Sequence, residues 1–153
     1  MAKSDITNTD TKMNNKESVD KTFEKFHSAR LDEMARVGFL DGEFEIYVWT
    51  DDSGHIPHIH VRDTNARGGN YETCIKLKTN EYFLHGHYTD KMNASMRKAF
   101  NNFMHAPCIN TRYQNNYDFA VDMWNHNNSS TIITPEYDAY GNIIVPDYTT
   151  IKD

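Results

Sequence analysis

No apolar run in this chain approaches the ~20 residues that a membrane-spanning helix needs. Cysteine is scarce as well. Cys74 and Cys108 stand alone, without a CxxC pair, which excludes a disulfide framework and makes a reducing cytosol the expected compartment. The opening stretch MAKSDITNTDTK has no apolar segment, so no secretory signal is expected. There is no HExxH, no P-loop and no GxGxxG. An excess of positive charge is also lacking: 16 Lys and Arg stand against 22 Asp and Glu, a net charge of -6. That balance argues against a general nucleic-acid coat protein, although a local basic patch can exist within it.

What is present suits one domain with a single core: 153 residues, 38% hydrophobic, 25% charged and 12% aromatic. The chain is polar, with a mean hydropathy of -0.78, and carries eight histidines. Residues 1–15 hold almost nothing to bury and read as a flexible tail. Val19, Phe23, Phe26, Met34 and Val37 fall near helical spacing, which predicts a helix over 16–37 that Gly38 ends. Residues 38–128 read as an α+β core. Its first strand is Phe44 to Thr50, followed by the turn Asp51-Asp52-Ser53-Gly54 and a second strand from His55 to Arg62. After a loop, Thr73 to Thr79 alternates with Ile75 and Leu77 inward and Cys74, Lys76 and Lys78 outward, and Tyr82 to Tyr88 reads as a fourth strand. Two helices follow. One is capped by Asp90 and striped by Met92, Met96, Ala99 and Phe103; the other is striped by Tyr113, Tyr117, Ala120, Val121 and Trp124. Residues 129–153 read as a C-terminal hairpin or extended arm. The expected architecture is therefore a small antiparallel sheet of three to four strands packed against two helices, flanked by an N-terminal helix and a C-terminal β-arm.

The informative feature is His58-Ile59-His60. Alternate residues of a strand share a face, so His58 and His60 point one way while Ile59 and Val61 face the core. Two imidazoles placed like this hold one metal ion if a third ligand joins them. His85-Gly86-His87 repeats the spacing, so His58, His60, His85 and His87 are candidate ligands for a divalent metal such as zinc, with His55 as an addition from the turn. The same residues also suit a pH-responsive cluster. A metal-free alternative uses His58 and His60 as general acid and base around a phosphodiester. Arg62, on the same face, would stabilise charge at phosphorus, with Lys76 and Lys78 on the next strand. The third alternative is structural: histidines on the polar outer face of a sheet need no ligand. The histidine-triad and two-histidine phosphoesterase motifs are both incomplete, because Arg62 occupies the third triad position and neither pair has the required Ser or Thr. Cys74 reads as space-filling, and Trp49 and Trp124 as closing the rims of the core.

The order of an Ile-Tyr-Val-Trp strand, Ile56-Pro57-His58-Ile59-His60-Val61, a Gly-bearing loop, a Lys-rich strand and two helices ending in Trp124-Asn125 resembles a bacterial family. It is the domain-of-unknown-function family numbered forty-one-sixty, whose signature is Pro-Pro-His-x-His-Val. Ile56 stands where that signature has its first proline; Pro57, His58, His60 and Val61 match. The similarity spans Gly38 to Asn128 and implies a compact α+β domain with a protein partner, in gene arrangements that look like toxin–antitoxin or mobile-element modules. The Asn- and Lys-leaning composition suits an AT-rich phage or low-GC bacterium. The expected function is that of a cytosolic accessory or binding protein whose His58/His60 face contacts a partner. The alternatives are a phosphodiesterase or ribonuclease-like enzyme acting on RNA through His58 and His60, and a virion-associated structural protein. Charge is unevenly spread: residues 131–153 hold four acidic groups and one lysine, whereas residues 55–87 hold four basic and three acidic groups and five of the eight histidines.

Overall fold

Asp41 (φ 51°) and Gly42 (φ 73°) both adopt left-handed backbone, and the Glu43 N–H donates to the Leu40 carbonyl at 2.9 Å. Two consecutive residues with positive φ make the hairpin turn whose twist matches paired strands, and Asp-Gly is a favoured sequence for it. In the computed structural model, which describes residues 34–49, 56–63, 71–86 and 88–152, this turn joins β1 (Met34–Leu40) to β2 (Phe44–Trp49). Then come β3 (His58–Asp63), β4 (Glu72–Lys76), α1 (Ala94–His105), α2 (Asn116–Asn127) and a short 3-10 turn, Tyr148–Thr150. From Ala35 onward these elements form one compact unit, Ala35–Asp153. The four-stranded antiparallel sheet runs in the order β1-β2-β3-β4. No helix among the described residues is long and apolar enough to cross a membrane.

The α+β class matches the expectation, and several details differ. Residues 34–37, expected to close a helix, are the start of β1. Helical spacing of Met34 and Val37 is overridden there by the Asp41-Gly42 turn, which hands the preceding residues to β2 as a partner. Gly38 adds to the bias, since glycine in a helix costs about 1 kcal/mol relative to alanine. The remainder of the predicted helix and the tail lie outside the described residues. The fourth strand expected over Tyr82 to Tyr88 is reduced to isolated bridges, Ile75 with Tyr82 and His85 with Tyr88, because Gly86 (φ +56°) turns the chain between His85 and Tyr88.

Helix α1 begins later than expected. Asn93, not Asp90, caps it by accepting the Met96 N–H at 2.8 Å. Its deepest side chains are Phe100 and Met104, one position along from Ala99 and Phe103. Helix α2 is capped by Asn115 and buries Tyr117, Ala120, Val121 and Trp124 as its stripe predicts. With Ile46, Val48, Ile59, Val61, Ile75 and Leu77 from the sheet side, these residues make one core cluster.

Of the two forms expected for the C-terminal segment, a small hairpin is present, with Tyr137 bridged to Ile143 and the Ile144 N–H donating to the Glu136 carbonyl at 2.8 Å, and the segment is packed on the core instead of extending from it. Ile133, Ile143, Tyr148 and Ile151 are buried in the same cluster. Asn125 clasps Ile133 through both backbone groups, at 2.8 Å and 2.7 Å. The Trp124 indole donates to the Thr131 carbonyl at 2.7 Å. The Tyr148 hydroxyl donates to the buried Leu77 carbonyl at 2.7 Å, and its ring meets Phe100 edge-on at 5.0 Å. The expectation missed this because isolated isoleucines separated by polar residues give no helix or strand period, yet each still fills a core position. Tyr148→Phe keeps the ring and removes the only donor that this contact supplies to Leu77, so urea unfolding should show a loss of about 1–3 kcal/mol. An unchanged midpoint would mean that the C-terminal segment is not anchored through this bond.

Candidate metal centre

Antiparallel register decides which side chains meet. Tyr47 lies opposite His60, and His60 lies opposite Cys74; Glu45 faces Arg62, Arg62 faces Glu72, and His58 faces Lys76. Residues directly opposite share a face. One face of the sheet therefore carries Glu45, Tyr47, His58, His60, Arg62, Glu72, Cys74 and Lys76, and the other carries Ile46, Ile59, Val61 and Ile75.

The polar face was expected to be solvated. It is covered. His58 is 0%, His60 1% and Cys74 0% exposed. The segment after β4 roofs them. The Lys76 N–H donates to the Glu81 carbonyl and the Phe83 N–H to the Cys74 carbonyl, each at 2.9 Å, so the chain folds straight back along β4. Phe83 then packs on His58 with ring centroids 4.8 Å apart, and Tyr88 meets His60 edge-on at 4.7 Å. Tyr47 stacks on His60 at 4.9 Å, and Trp124 reaches His58 from α2 at 5.3 Å.

Beneath this roof, one ligand atom each of His58, His60 and Cys74 lies within 4.8 Å of the others. Cys74 Sγ is 3.1 Å from His60 Nδ1 and 3.6 Å from Nε2. His58 Nδ1 is 2.7 Å from the Ile56 carbonyl. A carbonyl only accepts, so Nδ1 of His58 carries the proton and Nε2 carries the lone pair. Glu72 Oε2 stands 3.3 Å from His60 Nδ1 and also accepts the Tyr47 hydroxyl. Burial pushes the Glu72 carboxyl up, but hydrogen bonds from His60 and Tyr47 outweigh it and hold the group below its ordinary range. Burial, then Glu72, push the Tyr47 phenol far up, so Tyr47 remains a donor to that carboxylate.

The cations expected to serve a phosphodiester are committed elsewhere. Arg62 reaches Glu45 Oε1 through Nε at 3.0 Å and Nη2 at 2.9 Å, and its guanidinium lies 4.9 Å from the Tyr47 ring centroid. Arg36 takes the other Glu45 oxygen at 2.6 Å. Lys76 pairs with Glu81 at 3.0 Å and Lys78 with Glu136 at 3.4 Å. Of the four predicted metal ligands, His58 and His60 come together. The His85 ring lies 5.1 Å from that of His58 and 6.1 Å from that of His60; His87 and His55 lie outside the described residues.

Three members of the site went unassigned in the sequence: Cys74, Glu72 and Tyr47. Cys74 shares the outward parity of Lys76, so the strand pattern already placed it on the histidine side once β3 and β4 pair. Glu72 and Tyr47 carry no motif, and register alone brings them in. The row Glu72–His60–Cys74 resembles a carboxylate–imidazole–thiol triad in composition only. In a triad the base uses opposite ring nitrogens for its two neighbours, whereas here Nδ1 is the nearer nitrogen to both, and the sulfur is buried. Two imidazoles and a thiol are instead a donor set of the borderline-soft kind that zinc takes. Bonds of 2.0–2.1 Å to nitrogen and 2.3 Å to sulfur at a tetrahedral angle place N and S roughly 3.5 Å apart. Sγ stands 3.6 Å from Nε2 but 3.1 Å from Nδ1 of the same ring, so it lies beside the ring edge between the two nitrogens, and an ion held through Nε2 would need the His60 ring or the Cys74 side chain to turn.

No protein-family model matches the chain, and neither does any curated protein or solved structure.

Glu45 is 2% exposed and depends on its two arginines. Arg62→Ala leaves one oxygen of a buried carboxylate without that donor. The expected loss is about 1–3 kcal/mol in chemical denaturation, with Arg62→Lys recovering only part of it because an ammonium cannot reproduce the guanidinium's planar fork over Tyr47. A stability equal to that of the unaltered protein would point to a role for Arg62 other than satisfying Glu45.

Proposed function

We propose that the protein is a small metal-binding α+β module in which His58, His60 and Cys74 hold a zinc ion. The observation that carries this reading is the mutual approach, within 4.8 Å, of ligand atoms from three fully buried residues on two adjacent strands. Two supports are chemical. The His58 Nδ1–H is taken by a backbone carbonyl and His60 Nδ1 faces a carboxylate, the arrangement that commonly orients metal-ligating imidazoles. The roof of aromatic rings excludes water, which strengthens thiolate–cation attraction. Binding would release the Cys74 thiol proton, so affinity rises with pH.

The ion's role on this reading is to clamp β3 to β4 and to hold the roof down. A buried centre of this kind leaves the expected partner contact at the His58/His60 face to other surfaces. Phosphodiester chemistry fares worse, because its acid and base are enclosed and Arg62, Lys76 and Lys78 are each paired with a carboxylate.

Metal analysis of the protein purified without chelators, then dialysed against zinc, is the direct test. The expected result is one zinc per chain, lost in His60→Ala and weakened in Cys74→Ser. Removing the ion should lower unfolding stability by about 4 kcal/mol where free zinc had exceeded its dissociation constant 1,000-fold. A folded wild-type protein that retains no ion and takes up none of zinc, cobalt or copper(I) would end this reading.

A further inference from the structure

We infer that His85, on the segment that follows β4, is the fourth ligand, so that the centre is a three-histidine, one-cysteine site. This rests on the metal reading above and adds a residue that the 4.8 Å set of His58, His60 and Cys74 does not contain.

The argument is geometric. A metal-bound imidazole places its ring centroid roughly 3.2 Å from the ion, given a 2.0–2.1 Å bond, so two such rings at a tetrahedral angle stand about 5.2 Å apart. The centroid separations are 4.9 Å for His58–His60, 5.1 Å for His58–His85 and 6.1 Å for His60–His85. Two of the three already match. The third is longer by about 1 Å, a distance that a small rotation of His85 removes.

The backbone is built to present that ring. His85 and Tyr88 exchange hydrogen bonds, N–H to carbonyl, at 3.3 Å and 2.9 Å, across a turn in which Gly86 holds φ +56° with nothing near its missing Cβ. Upstream, the Phe83 amide is pinned to the Cys74 carbonyl, so the turn is anchored at the thiol ligand itself. His85 Nδ1 sits 2.9 Å from the Phe83 carbonyl, which puts the proton on Nδ1 and the lone pair on Nε2, as for His58. Phe83 at 4.6 Å and Tyr88 at 5.1 Å flank the His85 ring. Glu72 is the competing fourth ligand, but its carboxylate already serves His60 Nδ1 and the Tyr47 hydroxyl, the place of an orienting partner.

Cobalt(II) titration of the full chain tests the assignment, because the ion reports both coordination number and sulfur ligation in its absorption. The wild type should show an intense four-coordinate visible spectrum with a sulfur-to-cobalt charge-transfer band. His85→Ala should keep the charge-transfer band, lose visible intensity as water enters, and bind roughly 100-fold more weakly. Gly86→Ala, which strains the turn without removing a ligand, should weaken binding and leave the spectrum four-coordinate. In the unaltered protein, zinc should shift the His85 Nε2 nitrogen-15 resonance to its metal-bound position, a readout that does not depend on any variant folding. Equal affinity and an identical spectrum for His85→Ala, or an unshifted His85 nitrogen in a zinc-loaded wild type, would overturn the assignment and leave the three-ligand centre intact. Failure of the wild type to bind cobalt or zinc at all would remove the centre itself.

Discussion

Cross-strand pairing lines up Tyr47, His60 and Cys74 in one row of the sheet, and covering that row is the constraint on which the rest of the site depends. Burying a polar group without a partner costs a few kcal/mol. A face carrying two histidines, a thiol and two carboxylates therefore has to be internally matched before it can be covered. The matching is visible in sequence order along the strands. Arg36 and Arg62 neutralise Glu45, Tyr47 and His60 converge on Glu72, and the Ile56 carbonyl takes the His58 Nδ1 proton. Phe83, Tyr88 and Trp124 lie over the imidazoles that are matched in this way.

Both faces of the central strands are buried as a result. Ile46, Ile59, Val61 and Ile75 make a conventional apolar layer, whereas the opposite layer is aromatic and polar. The two are linked at Trp124, whose ring touches His58 while its indole N–H anchors Thr131 at the start of the C-terminal segment. Leu77, one residue beyond β4, is held on one side by the Pro57 carbonyl at 3.0 Å and on the other by the Tyr148 hydroxyl. The segment after α2 thus braces the end of β4 from which the roof departs.

Much of this was legible in local pattern. The parity of His58 and His60, the strand nature of Phe44–Trp49 and Glu72–Lys76, and the buried stripe of α2 all follow from period alone. Parity also placed Cys74 on the histidine side, but a lone cysteine carries no motif, and its meaning appears only when His60 is found opposite. The covering of the face was not legible. It depends on a turn at Gly86, on Phe83 and Tyr88 from a segment whose alternation resembles a strand, and on Trp124 from α2. β1 was lost for a related reason: Met34 and Val37 satisfy helical spacing, and the stronger signal, Asp41-Gly42, sits after the residues it governs. Nor does any local pattern foretell that Arg62, Lys76 and Lys78 meet Glu45, Glu81 and Glu136, since those acids lie on other elements or across a turn.

Proton counting at His60 bears on what a metal ion would do here. Nδ1 has two neighbours, Cys74 Sγ at 3.1 Å and Glu72 Oε2 at 3.3 Å. If a neutral thiol donates to Nδ1, that nitrogen must offer its lone pair. It then has no proton for a carboxylate that burial would otherwise push toward protonation. If Nδ1 instead carries the proton for Glu72, the acceptor left to the thiol is Nε2 of the same ring, at 3.6 Å. A divalent cation held by Cys74 and His60 would take the place of the thiol proton in that second arrangement. Cys74 would give up its proton to bind the ion, His60 would supply the lone pair of Nε2, and Nδ1 would keep the hydrogen that Glu72 accepts. Tyr47 completes the carboxylate's coordination, and Arg62, stacked on the Tyr47 ring, adds positive charge near Glu72. On the metal-binding reading, the carboxylate next to the site is not a surplus acid but the group that would fix which nitrogen of His60 an ion takes.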